Sequence, residues 1–468
     1  MPSFLVLTLG CKLNQLESEA VIDAFEGAGD WKQGTGDQGS GIGDWGSGTG
    51  DEARDSVSVI VINTCTVTSK ADQKARRVIR KALRDYPEAR ILVTGCYAQL
   101  NKNDILKLET DSKNRLFVVD KNNIINYINN TYPASVYKDS LIPDPETSIF
   151  DSKFQFNPKR FSCHTRSFLK IQDGCDKHCT YCKIRLARGK SVSLDADEAL
   201  RRLRVLEGNH AETVLTGVNI SQYEWRLGDR GQEFGNGLAG LLKYLISNTD
   251  KIAVRLSSLA PESIDDKLAE ILAHPRIRPH FHLSVQSGCG KILDKMGRSY
   301  DGNTIEKAVS LLRRVKDDPF IACDIIAGFP GETGEDYEET FNLCKNLDFA
   351  WIHAFPYSKR DGTPAFLFKD NVPENEITKR IKTFSELAWS GRKSYINRQL
   401  GRETDVIVMN NGKLMKCRGV TENYLNVLIK HNEENKPKSG TVLRCKLAEL
   451  NGENGFDAAA VVKYPILR

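Results

Sequence analysis

The sequence predicts an α/β protein in three parts: an N-terminal open parallel α/β domain, a central partial β/α barrel and a C-terminal small β-barrel. Three observations predict it. The chain has 468 residues, enough for about three domains at roughly 150 residues each. Apolar, β-branched runs alternate with helix-period segments from the start to about residue 110 and again from Phe168, the pattern of parallel sheets covered by helices. Beyond about residue 397 short alternating runs are separated by Asn/Gly turns, which fits a small all-β barrel.

The elements follow in order. Phe4–Leu9, Val57–Ile62 and Ile91–Thr94 are the first strands, and Gln15–Phe25, Ser69–Tyr86 and Leu100–Leu108 the first helices. Residues 27–50 interrupt them with ten glycines and a near-repeat, GDWKQGTGD at 29–37 recurring as GDWGSGTGD at 43–51. Such composition buries too little apolar surface to offset its ordering entropy and reads as an inserted, flexible surface loop. A glycine cradle for phosphate would need a following helix with a Lys or Ser/Thr signature, and none follows. Residues 131–162 carry four prolines with little periodicity and read as a linker. Phe168–Ile171, Thr213–Thr216, Ala253–Leu256, His282–Val285, Ala322–Ala327 and Trp351–Ala354 are the barrel strands. Val406–Val408, Leu425–Ile429 and Val442–Cys445 follow in the C-terminal part. The expected division is 1–130, a linker at 131–162, then 163–396 and 397–468.

Composition excludes several classes. At 40% hydrophobic, 27% charged and mean hydropathy −0.40 the chain is not largely disordered. No run approaches the ~18–20 apolar residues of a membrane span. Phe4–Leu9 is too short for a secretory core and lacks a basic flank, so cytoplasmic residence is expected. The net charge of +5 is too weak by itself to announce nucleic acid. Twelve cysteines are the anomaly. In a reducing compartment they seldom pair, so metal ligands, nucleophiles or plain core residues are expected among them.

The sharpest motif is DGCDKHCTYC at 173–182, which places Cys175, Cys179 and Cys182 as CxxxCxxC. Three thiolates in one loop can hold three corners of a cubane iron–sulfur cluster and leave one iron open, where four protein ligands are usual. Structural zinc, with His178 or His164 as fourth ligand, is the alternative. Cys11, Cys65 and Cys96 each follow a predicted strand, at the sheet edge where ligands gather. They can therefore converge as a second set of three, or be buried free thiols. Cys163, Cys289, Cys323, Cys344, Cys417 and Cys445 have no matching pattern.

The segment TRSFLKIQDGCDKHCTYCKIRLARGKSVS at 165–193 resembles the core of the radical S-adenosylmethionine (SAM) superfamily. TLGCKLNQLES, NTCTVTSKADQKARR and VTGCYAQ resemble the N-terminal domain of its methylthiotransferases. LTGVNISQY, RLSSLAPE, HLSVQSGC, DIIAGFPGET and HAFPYSKRDGTPA extend the likeness along nearly the whole chain in the family's order. The resemblance implies two 4Fe-4S clusters and SAM as cofactors. Cys175, Cys179 and Cys182 would hold the SAM cluster, and Cys11, Cys65 and Cys96 the auxiliary one. It also implies Tyr181 near the adenine of SAM, and Thr216, Gly217, Asn219, Ser257, Gln286 and Ser287 as SAM or pocket contacts. By family analogy one SAM methylates a sulfur at the auxiliary site. A second yields the 5′-deoxyadenosyl radical that takes hydrogen from carbon 2 of an adenine. Where the family commonly has Pro-Tyr before Ala-Arg-Gly, this chain has Arg185-Leu186.

The opening TLGC-K-x-NQ-x-ES most resembles the family type that acts on threonylcarbamoyladenosine beside the anticodon. The partners implied are the tRNA anticodon stem-loop, SAM, an electron donor and a sulfur source, with no membrane. Residues 398–468 carry 12 Lys/Arg and 8 Asp/Glu, a net of +4, and resemble the TRAM domain that the family uses for tRNA. A small basic β-barrel suits RNA backbone and unstacked bases. Lys74, Arg76, Arg77, Arg80 and Lys81 on the Ser69–Tyr86 helix are a second RNA candidate. The alternatives are the same chemistry on isopentenyladenosine or a ribosomal-protein side chain and, more distantly, a zinc-bound RNA-binding module without catalysis.

Overall fold

The computed structural model describes residues 2–29, 31–34, 57–110, 113–132, 153–158, 161, 164–224, 234–409, 417–431, 437–449 and 456–466. The chain forms two compact units. The first is Met1–Cys163 with Asp173–Asp176 and Cys182–Ser191; the second is His164–Gln172, Lys177–Tyr181 and Val192–Arg468.

The first unit is built on a five-stranded parallel sheet in the order β2-β1-β3-β4-β5, with β1 Ser3–Thr8, β2 Lys32–Gln33, β3 Val57–Thr64, β4 Arg90–Gly95 and β5 Leu116–Val118. Strand β3 reads VSVIVINT and is buried along nearly its whole length, as a strand covered on both faces must be. Helix α1 (Lys12–Gly27) packs Ala20, Val21 and Phe25 with Phe4 and Val59 on one face. Helix α2 (Ser69–Asp85) places Ala75, Ile79 and Ala82 on the other with Ile60 and Ile91. Thr68 starts α2, its hydroxyl accepting from the Ala71 N–H at 3.2 Å.

Three differences from the sequence reading have physical causes. The helix expected over Leu100–Leu108 is two short ones, α3 (Cys96–Leu100) and α4 (Lys102–Leu106). Asn101 breaks it, its side-chain amide donating to the Tyr97 carbonyl. Within the expected 27–50 loop, Lys32–Gln33 is an edge strand and Trp31 is buried, its ring 5.2 Å from Phe25 and 5.4 Å from Tyr132. Aromatic burial there outweighs the glycine-rich composition; residues 35–50 lie outside the described residues. Within the expected linker, Phe156 packs into the same core, and most of the rest lies outside the described residues.

In the second unit, six parallel strands form two three-stranded sheets. They are β6 Ser167–Lys170, β7 Glu212–Thr216 and β8 Ala253–Leu256, then β9 His280–Gln286, β10 Phe320–Ala327 and β11 Trp351–Pro356. Parallel bridges Val254↔Ile277 and Leu259↔Leu283 join the two sheets. This is the partial barrel that the six apolar runs predicted. Glu403–Val408, Arg418–Thr421, Asn426–Lys430, Val442–Ala448 and Ala458–Ile466 close a small five-stranded barrel. Its core is continuous with Phe320 and Ala322 of β10 and Tyr395 of the long helix Glu374–Gln399.

The amino ends of the partial-barrel strands are fastened by one anion. Glu212, 1% exposed, accepts from Arg255 at 2.7 and 3.0 Å, from Arg278 at 3.0 Å and from Arg166 at 3.4 Å. The Tyr424 ring lies 5.0 Å from the Arg255 guanidinium and 5.1 Å from that of Arg166. The β-barrel thereby stacks on the same charge cluster.

Candidate active site

In the first unit the motif residues around the three separated cysteines make a single hydrogen-bonded frame. Cys11 stands at the start of α1 and donates to Asn14 Oδ1 at 3.2 Å. Buried Asn14 donates to Asn63 Oδ1 at 2.9 Å and to the Thr64 carbonyl at 3.0 Å. Asn63 donates back to the Asn14 carbonyl and to Ser18. Thr64 donates to the Thr94 carbonyl at 2.6 Å and accepts from the Ala98 N–H at 3.2 Å. The TLGCKLNQ, NTC and VTGC stretches are thus one bracket holding three cysteine-bearing turns at the carboxyl edge of a parallel sheet.

Two glycines make the close approach possible. Gly10 has φ +117° and a Cβ there would fall 2.5 Å from Cys65 Cβ; Gly95 has φ +94° and its Cβ would collide with the Thr64 carbonyl. Only glycine tolerates both the left-handed backbone and the contact.

Cys11, Cys65 and Cys96 are brought together, with Cys11 exposed and the other two buried. Burial, and then the neighbouring Cys11, push the Cys65 thiol up to about 12. Burial likewise raises Cys96, against the pull of Arg188. Crowded thiols that resist ionisation by themselves are a donor set for a cationic centre, because coordination deprotonates a thiol outright. Among the described residues no three His, Cys, Asp or Glu side chains close on a single metal ion. A cubane asks for a wider set, each thiolate on its own iron atom.

Cys175, Cys179 and Cys182 are each partly exposed in a loop without regular structure. The Cys175 N–H donates to the Gly189 carbonyl at 3.1 Å. Around Cys179, in the second unit, Thr180 donates to the Met296 and Lys295 carbonyls and accepts from the Ala365 N–H. Ala365 of the HAFPYSKRDGTPA motif therefore bonds the backbone directly after Cys179. Tyr181 packs 6.4 Å from the Phe329 ring. Arg298 is held charged near Tyr181, Tyr300 and Cys179 although burial opposes it; no motif pointed to it.

The proposed SAM contacts sit after successive strands. Thr216 ends β7, Ser257 follows β8, and Gln286 ends β9 with φ +66°, a conformation rare for a side-chain-bearing residue and characteristic of functional sites. The Asn219 N–H donates to Gln172 Oε1 at 2.9 Å, and Gly217 lies against that same glutamine. Ser287 is fully buried, its hydroxyl bonded to Thr340 at 3.0 Å and accepting from the Cys289 N–H. It shapes the turn after β9. Glu332 of GFPGET accepts from the Gly328 N–H at 2.7 Å and pairs with Arg380 at 2.5 Å, a lock on the long helix.

Sequence patterns did not single out a polar group on one face of the barrel strands. Ser258 Oγ and His282 Nδ1 are 2.7 Å apart, and His282 Nε2 is 3.2 Å from Asp324 Oδ1. His353 pairs in register with Asp324, and its ring lies near-parallel to that of half-exposed Phe355. The opposite faces of β9 and β10 bury Leu283, Val285, Cys323 and Ile325. On α2, Arg77 and Arg80 are exposed while Arg76 donates to Tyr97.

A family model described as the radical SAM superfamily matches residues 169–344, and one described as uncharacterized protein family UPF0004 matches residues 48–116. The chain is 37% identical over 483 residues to the threonylcarbamoyladenosine tRNA methylthiotransferase MtaB of Treponema pallidum (strain Nichols), covering 92% of this chain and 95% of that protein. To the protein of the same name from Thermotoga maritima it is 31% identical over 434 residues, covering 92% and 91%. Among solved structures, the radical SAM methyltransferase TsrM from Kitasatospora setae, with cobalamin and a 4Fe-4S cluster bound, aligns with a TM-score of 0.51 at 14% identity. That alignment spans 78% of this chain and 76% of that one and shows a shared fold. The chain therefore belongs to the radical SAM family of threonylcarbamoyladenosine tRNA methylthiotransferases.

Proposed function

We propose that this chain adds a methylthio group to carbon 2 of threonylcarbamoyladenosine in the anticodon loop of tRNA. Cys175, Cys179 and Cys182 hold the SAM cluster, and Cys11, Cys65 and Cys96 hold the auxiliary cluster. When bound, these groups supply the electron that cleaves SAM to a 5′-deoxyadenosyl radical and the site at which sulfur is carried. The convergence of three sequence-distant cysteines on one sheet edge carries this reading.

The protein's own residues orient and shield. Asn14, Asn63 and Thr64 fix the auxiliary thiols, and Thr180 ties the loop around Cys179 to the turn at Lys295–Met296. Thr216, Gly217, Asn219, Ser257 and Gln286 line the strand ends where SAM would bind, with Tyr181 beside its adenine. Radical chemistry suits the target because an aromatic C–H is not acidic enough for a side-chain base. The base has to leave its loop stack, at a cost of a few kcal/mol that is least for an unpaired nucleotide. The face carrying Ser258, His282, Asp324 and His353 offers hydrogen bonds to a ureido and hydroxyl-bearing substituent, which a hydrocarbon isopentenyl group could not use. The β-barrel and the exposed arginines of α2 supply RNA contacts.

Nucleoside mass spectrometry of tRNA from cells lacking this protein tests the reading. Loss of 2-methylthio-threonylcarbamoyladenosine, with accumulation of threonylcarbamoyladenosine, is expected. Persistence of the methylthio nucleoside with no second such enzyme present would reject the substrate.

A further inference from the structure

Arg188 is 4% exposed, and its guanidinium is held by three side chains. Nε donates to Cys96 Sγ at 3.1 Å, and Nη1 donates to Glu17 Oε1 at 2.9 Å and to both Asp173 oxygens at 3.2 Å. Asp173 stands two residues before Cys175 and also pairs with Lys121 at 3.4 Å. Every one of these residues lies in the first unit. The third nitrogen, Nη2, is buried and has no hydrogen-bond partner among the described residues. In a planar guanidinium, Nε–H and the outer Nη2–H form one edge with two parallel donors. The edge that meets the Cys96 sulfur therefore carries a second, unused donor, and a buried unused donor is expensive to keep.

We infer that Arg188 is a binding and positioning residue of the auxiliary site. One N–H holds the Cys96 sulfur, and the unused Nη2–H is reserved for an anionic sulfur species at the three cysteines, a sulfide or an incoming hydrosulfide. The two carboxylates fix the guanidinium plane, and through Asp173 the same group ties Cys96 to the segment leading to Cys175. Lysine cannot reproduce the arrangement, because a point-charge ammonium lacks the parallel donor pair. This inference rests on the reading of Cys96 as a cluster ligand.

The test uses the full chain, reconstituted anaerobically, with Arg188→Gln and Arg188→Lys. Iron is counted, the midpoint potential of the auxiliary cluster is followed by electron paramagnetic resonance, and sodium hydrosulfide is titrated against that signal. A cation and an N–H donor beside cluster sulfur stabilise the more negative, reduced form. Arg188→Gln is therefore expected to lower the auxiliary potential and to weaken hydrosulfide binding about tenfold or more, the worth of one charge-assisted hydrogen bond. Arg188→Lys should recover much of the potential but not the hydrosulfide affinity, and it reads the same two quantities if the glutamine variant does not fold. Unchanged potential and affinity in a fully iron-loaded variant would overturn the inference and leave Arg188 a structural ion pair. A wild-type chain holding only about four irons would overturn the assignment of the second triad itself.

Discussion

Cys179→Ala is expected to abolish SAM cleavage, whereas Cys65→Ala is expected to leave cleavage intact and to abolish methylthio transfer. Each variant should drop from about eight irons per chain to about four, since each removes one corner of a different cluster. The separation follows from the frames around the two cysteines. Cys65 is set by Asn63, Thr64 and the Gly10 contact in the N-terminal sheet. Cys179 is flanked by Thr180, whose bonds run to Met296, Lys295 and Ala365 in the second unit. Release of 5′-deoxyadenosine from SAM under dithionite, together with iron analysis, checks the first property. Methylthio product on an anticodon stem-loop checks the second. Loss of SAM cleavage in Cys65→Ala would reject the division of labour.

Glu212→Gln is expected to cost about 3–5 kcal/mol, the usual effect of leaving buried charge uncompensated. Three guanidiniums converge on this carboxylate, and with it neutral, Arg255, Arg278 and Arg166 repel one another in a site closed to water. Thermal unfolding should show it as a drop on the order of 10 °C. The same carboxylate sets a pH dependence. Burial opposes its charge, but the arginines, Arg255 foremost, outweigh burial and hold it at about 2, below the ordinary 4.5. The group thus contributes its full stabilisation above about pH 4.5 and loses it as pH falls toward about 2. Glu212→Gln should flatten that part of the stability profile. An unshifted midpoint would show that the arginines find other partners.

Much of this was legible in the sequence because the cysteine-bearing stretches carry their supports with them. Asn14 lies three residues after Cys11, Asn63 and Thr64 directly before Cys65, and Gly95 directly before Cys96. The six partial-barrel strands were legible because short apolar-rich runs recur between helix-period segments. What stayed hidden depends on long-range meetings between ordinary-looking residues. Glu212 and its arginines come from four different segments, and nothing local distinguishes them. The Ser258, His282 and Asp324 contacts arise from strand register. Leu116–Val118 is too short to announce itself, and Trp31 sat in a stretch whose glycines mask one well-packed aromatic. At the Arg185-Leu186 departure Leu186 is exposed, and the residue with structural reach is the buried Arg188.

The parallel arrangement of the first sheet also bears on how such a chain can change. Cysteines occupy turns leaving the carboxyl ends of β1, β3 and β4, while the glycine-rich segment rejoins the described structure at Val57, the amino end of β3. Chain length added between Gly34 and Val57 therefore joins the sheet at the edge opposite the chemistry. Extra length there adds closure entropy only logarithmically, roughly 0.6 kcal/mol per doubling. One border of the domain is free to drift in evolution while the other is held to the atom.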